Sequence, residues 1–247
     1  LSLSPPALPL RLAVAPHGAP LYRGPLTSEQ LTALADSPVR RKLAEYLEQG
    51  STGVLVLLEA PKLSEAEKAA RQASRSAAAL LGGSGAPLAL IEPLAPERND
   101  QAEAEIRRLQ AALAEGELEL YEAPPPGGVA GDVEAERRRE HQVKYIRIAR
   151  DDPAEQWLVG QLLQVEPDLA EFEEPMIFAV YGRGRALPPY IGRGISAENL
   201  GDCIRFIAGA CSCTVKEQNP GVDLLTSHDW AAAAEEFPRG GGPRSRR

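Results

Sequence analysis

Hydrophobic positions change period repeatedly along the chain, and each change marks an expected element. Residues 10 to 15, LRLAVA, alternate and predict a first strand, followed by a turn-rich connector, HGAPLYRGP. Thr27 to Ala35 reads as a short helix capped by Thr27 or Ser28. Asp36 or Ser37 then caps a clearer helix with Pro38 in its first turn; Val39, Leu43, Tyr46 and Leu47 share one face, and Gly50 stops it. The aliphatic run Val54 to Leu58 has the length and uniformity of a central strand covered on both faces. Pro61 ends it, and Ser64 caps an Ala-rich helix reaching to about Leu81.

From Ser84 to His141 the texture changes. APLALIEP is a candidate strand, Asn99 or Asp100 opens a helix with Ile106, Leu109 and Leu113 in register, ELELYE alternates as a short strand, and PPPGGVAGD is a loop. The charged run Glu134 to Glu140 reads as a solvated helix face or loop. Val143 to Ala149 predicts a strand, and a helix starting at Pro153, capped by Asp151 or Asp152, carries Trp157, Leu158, Gln161, Leu162 and Val165. EPMIFAVYGRGRALPPYIGRG, residues 174 to 194, reads as a proline-led strand, a Gly-Arg-Gly-Arg turn, a returning strand and an exit into a helix. Ser196 caps that helix, whose stripe is Leu200, Cys203, Ile204 and Ile207.

A strand followed by a helix and preceded by one indicates a wound α/β layer. The second half, in order, is strand, helix, proline-initiated strand, tight turn, antiparallel strand, helix, and this order resembles the C-terminal half of a thioredoxin fold. The helix at 37 to 49, the strand at 53 to 60 and the helix at 63 to 81 would supply its N-terminal half. The resemblance implies an α/β domain with a thioredoxin-like central sheet flanked by helices. It implies three regions: a linker and first strand at 1–26, the domain at 27–209 with a helical insertion at about 84–141, and a C-terminal extension at 210–247. It also implies a cis bond before Pro175, on a strand facing the family's active site, and an exposed turn at Tyr181 to Arg185.

The chain departs from the family at the chemistry. Thioredoxins place a Cys-x-x-Cys at the start of the helix after the central strand, where the helix terminus stabilises a thiolate. Here that junction is LLEAPKLSEAEKAA, without cysteine. GACSCTVKEQNPGVDLL, with the GRGR turn, resembles a segment of uncharacterised bacterial thioredoxin-fold proteins that lack the Cys-x-x-Cys and carry a C-terminal Cys-x-Cys.

Cys211 and Cys213 admit several readings: an easily reduced disulfide, a soft-metal pair, a nucleophile with its resolving thiol, or a structural disulfide or packed thiols. Cys203, on an apolar stripe, reads as a core residue. His17, His141 and His228 show no spacing that links them to an acid and a nucleophile, and the Gly-rich pieces at 82 to 85 and 127 to 131 lack the ending of a phosphate loop. Pro175, Arg183, Arg185 and Arg193 are the candidate binding residues.

The formal charge of −8 argues against nucleic acid as a partner of the body. No run approaches the roughly 18 apolar residues needed to cross a bilayer. The chain opens on Leu, and SLSPPALPL suits a Pro-rich linker beyond a removed leader, so an extracytoplasmic location is expected. The functional expectation is a redox-inactive thioredoxin-fold module that binds or assembles with a protein partner and needs no cofactor. The alternative is a thiol-disulfide oxidoreductase or metal-handling protein acting through Cys211 and Cys213.

Overall fold

The computed structural model describes residues 11–14, 20–24, 27–62, 97–118, 143–208 and 221–232, with isolated positions between 64 and 73. Cys211, Cys213, His17, His141, Phe237, the Gly-rich pieces and the charged run at 134 to 140 lie outside the described residues, as do the strands expected near 86 and 119.

Strand β1 (Arg11–Val14) pairs antiparallel with β2 (Pro20–Gly24), so the expected connector contributes a strand of its own. Pro20 is the first residue of β2, where a missing backbone donor costs little. Helix α1 (Ser28–Ala35) begins in a capping box: the Thr27 hydroxyl accepts from Gln30 N, and the Gln30 side chain accepts from Thr27 N. Helix α2 (Pro38–Glu48) is capped by Ser37, with Pro38 at its first position, and ends before Gly50 at φ 84°.

Strand β3 (Gly53–Leu58) is buried along its whole length. It pairs parallel with β4 (Val143–Ile148) and antiparallel with β5 (Met176–Tyr181). Beyond β5 lie β6 (Arg185–Ala186) and β8 (Val222–Asp223), while β7 (Tyr190–Ile191) pairs with the start of β5. The result is a mixed six-stranded sheet of order β4-β3-β5-β6-β8. The returning strand is broken in two because Pro188 and Pro189 cannot donate to a ladder.

Helices cover both faces of this sheet, which explains why β3 is uniformly aliphatic rather than alternating. Val54, Val56 and Leu58 point to the side of α2 and of α4 (Gln156–Leu162), where Leu43, Leu47, Leu158, Leu162, Met176 and Phe178 complete one core. Leu55 and Leu57 point the other way, to α3 (Glu97–Glu115) and α5 (Ala197–Ala208), with Ile106, Leu109, Leu200, Ile204 and Ile207. Helix α3, within the segment expected as an insertion, packs as a layer of this core. It approaches α5 closely, because a methyl group at Gly201 would stand 3.7 Å from Leu109 Cδ1. Glu105 of α3 accepts from the first backbone N–H of α5, Ala197 N, at 3.0 Å.

Two local expectations are corrected. The helix expected at 153 starts at Gln156: Asp152 caps only a turn, accepting from Ala154 N at 2.9 Å, and Glu155 sends its side chain to α2 instead. The peptide bond before Pro175 is trans, the ordinary state of an X-Pro bond. Pro175 enters the sheet in that state, with its carbonyl accepting from Gly192 N at 3.0 Å.

The C-terminal extension returns to the body. Residues 221–230 run across the β6 edge and α2 as a strap, with Leu224 buried and Trp230 packed against the first core. Gly221 makes this return possible, since its φ is 61° and an added Cβ would sit 2.5 Å from the Ala186 carbonyl oxygen.

Candidate functional site

The binding residues expected from the sequence separate into two places. Pro175, which is buried, lies at the start of β5 beside Gly192 and Arg193, whereas Arg183 and Arg185 lie on the hairpin at its far end. At about 3.3 Å per residue, the six residues of β5 hold the two groups roughly 20 Å apart, so they do not form one surface.

Around Pro175 the packing is close, with Glu174 Cγ 2.8 Å from where a Cβ on Gly192 would stand. Arg193 is exposed there. At the other end Arg183 is exposed, and Arg185 grips Asp223 of the strap with two bonds, Nε to Oδ1 at 2.7 Å and an Nη to Oδ2 at 3.1 Å. A two-pronged guanidinium–carboxylate match of this kind fixes orientation as well as charge. The hairpin arginines therefore divide their work: one ties down the strap, the other faces solvent.

The strap is also held from below. Leu225 donates its N–H to Gln161 Oε1 at 3.1 Å and accepts from Arg40 Nε at 2.8 Å, and Ser227 N donates to the Ala35 carbonyl at 2.8 Å. His228 Nε2 lies 3.0 Å from Glu48 Oε1, and its ring meets Trp230 edge-on at 4.4 Å. Beneath this segment Arg40 is buried, and that burial draws its guanidinium down to about 10 against the opposing pull of Glu155. Arg40 also reaches Gln161 and the Ser37 hydroxyl. Glu155, 1% exposed, accepts from Ser37 Oγ at 2.6 Å and Val39 N at 2.8 Å, so it caps α2 from the residue just before α4. This buried polar web was missed by the sequence reading. Its one visible signal is that Arg40 falls on the same helical stripe as Leu43 and Leu47.

The end of β3 is the place where the family resemblance would put a dithiol. There, Asn99 in the first turn of α3 accepts from Ala60 N at 2.9 Å and is itself buried. Beside it Arg147 of β4 bonds Glu59, Asp100 at 3.0 Å and Glu103 at 2.7 Å. Hydrogen bonds from Tyr145, Arg107 and Arg147 pull the Glu103 carboxyl from its ordinary 4.5 down to about 2. A depressed carboxylate contributes stability that is fully present above about pH 4.5 and lost as pH falls toward 2. Denaturant titrations of the wild-type chain and Glu103→Gln should therefore converge across that window and differ most near neutrality. A gap independent of pH would contradict this.

Of the cysteines, Cys203 is described. It is buried under the sheet, and burial drives its thiol up to about 12, partly offset by a hydrogen bond from Tyr190. It is a core residue, as its place on the stripe suggested. Among the described residues no cluster of His, Cys, Asp and Glu is arranged to hold a metal ion, and no helix is long and apolar enough to cross a membrane.

No family model, curated protein or solved structure matches the chain. The class that the geometry defines is thus a mixed α/β domain whose central sheet is flanked by helices.

Proposed function

We propose that the chain is a thioredoxin-like module that binds or assembles with a protein partner and does not exchange thiols at the end of its central strand. The fold part of this reading is supported by connectivity: β3 and β4 are parallel, the proline-led β5 is antiparallel to β3, a hairpin follows, and α5 closes the order. The trans bond at Pro175 departs from the family, so the likeness rests on connectivity and not on that proline.

The observation that carries the functional part is the end of β3. Among the described residues Asn99 and the Glu59–Arg147–Glu103 ion cluster occupy it, and the junction that follows β3 in the chain, LLEAPKLSEAEKAA, supplies no cysteine for an attacking thiolate. Fold alone does not bring activity with it. An extracytoplasmic location belongs to the same proposal.

The test is disulfide reduction with insulin as substrate and dithiothreitol as the electron source. The wild-type chain and a Cys211→Ser/Cys213→Ser variant are expected to run at the same background rate. A rate above background that the variant loses would overturn the proposal in favour of thiol exchange through that pair.

A further inference from the structure

We infer that the β6 edge, with Arg185 and Arg40 beside it, is an acceptor site for an extended peptide bearing an acidic residue followed by an aliphatic one, and that the strap occupies this site in cis. This deepens the binding-module reading and rests on it.

The strap itself defines the ligand chemistry. Its Val222 and Asp223 add to the sheet through β6, and Leu224 N continues the pairing by donating to the Gly184 carbonyl at 2.9 Å. Strand addition of this type gets affinity from main-chain bonds and selectivity from alternate side chains. Here the selective contacts are the Asp223 carboxylate on Arg185 and the buried Leu224, while the Leu225 carbonyl adds a main-chain bond from Arg40 Nε. Arg183, exposed on the same hairpin, favours an acidic segment further.

The strap's seam is incompletely satisfied. On the body side of the seam Gln161 Nε2 and Asp36 Oδ1 are buried without a hydrogen-bond partner among the described residues. A crevice of about 20 Å³, room for roughly one water, remains between α2 and the strap, lined by Leu43, Leu47, Leu224 and Trp230 among others. The ladder is two residues long, and apart from Leu224 the residues from 221 to 230 are half-buried or exposed. Buried polar atoms left unpaired cost free energy, so a ligand that completes them can displace the strap. Tethering holds the strap at an effective concentration in the millimolar range, which keeps the site closed until a tighter peptide arrives.

The experiment uses the full chain and a fluorescein-labelled peptide of residues 221–232, read by anisotropy. Asp223→Lys in the chain sets like charges together at Arg185 and frees the strap, so this variant should bind the labelled peptide about tenfold or more tightly than the wild-type chain does. The double variant Arg185→Asp/Asp223→Lys re-forms a pair of reversed sign, so it should fold, close again and fail to capture the peptide. Asp223→Ala, which leaves Arg185 unpaired without adding a like charge, should show the same gain in peptide binding where Asp223→Lys does not fold. Equal binding by all three chains, or none by the folded Asp223→Lys chain, would make the strap a fixed part of the sheet and overturn the inference. A concentration-dependent dimer of the wild-type chain would make a second copy the occupant and overturn the partner assigned. The insulin assay is independent of this outcome, so failure here leaves the absence of thiol exchange to be judged separately.

Discussion

Replacing Glu155 with Ala is expected to lower stability by about 3–5 kcal/mol, the range for removing one partner of a buried charged network. The substitution leaves the Ser37 hydroxyl and Val39 N–H without the acceptor they use, and leaves the buried Arg40 without its main opposing charge. Glu155→Gln keeps the volume and one good acceptor and should cost clearly less. For a chain of this size, each kcal/mol moves the melting temperature by about 2–4 °C, so the Ala variant should melt roughly 10 °C lower. A shift within about 1 kcal/mol of wild type in a denaturant titration would mean that water replaces the carboxylate and that the web is not an organising element.

Ile106→Ala should cost about 2–5 kcal/mol. Ile106 is fully buried between β3 and α5, and the lost methylenes leave a hole lined by Leu55, Leu57 and Leu109, which sit on regular elements and have little freedom to collapse into it. The same substitution in an appended helix would be nearly neutral. Calorimetric melting thus decides whether Glu97–Glu115 is a layer of the domain, and a loss under 1 kcal/mol would show that it is not.

These two residues mark where the sequence was legible and where it was not. The ends of α1 and α2 were readable, because Thr27, Ser37 and Pro38 act on groups within a few residues of themselves. The buried run Val54–Leu58 was readable too, since a strand covered on both faces leaves no polar position. Glu155 was not, because its partners Ser37 and Val39 are distant in the chain and its type suggests a solvated surface. Helix α3 was found with its register, but nothing in its periodicity says that its apolar stripe faces β3 rather than an excursion of its own. The GRGR hairpin was recognised as a turn. That Arg185 would be bound to Asp223 while Arg183 stayed exposed depends on the strap's return, which pairs residues on opposite sides of α5.

The cis bond expected before Pro175 came from family likeness, not from local sequence, and there the likeness misled. The Cys-free end of β3 came from the sequence directly. What fills that end, Asn99 and the Arg147 cluster, depends on pairing between α3, β3 and β4 that single-chain periodicity does not report.

The central claim, that this domain works by binding and not through its thiols, is tested most directly by a thiol titration of the purified native chain across a series of glutathione potentials, with metal analysis on the same sample. The account expects no reversible two-thiol step at mild potential, no stoichiometric metal, and Cys203 labelled only after denaturation. Two thiols appearing and disappearing reversibly, or one equivalent of bound metal lost in a Cys211→Ser/Cys213→Ser variant, would contradict it.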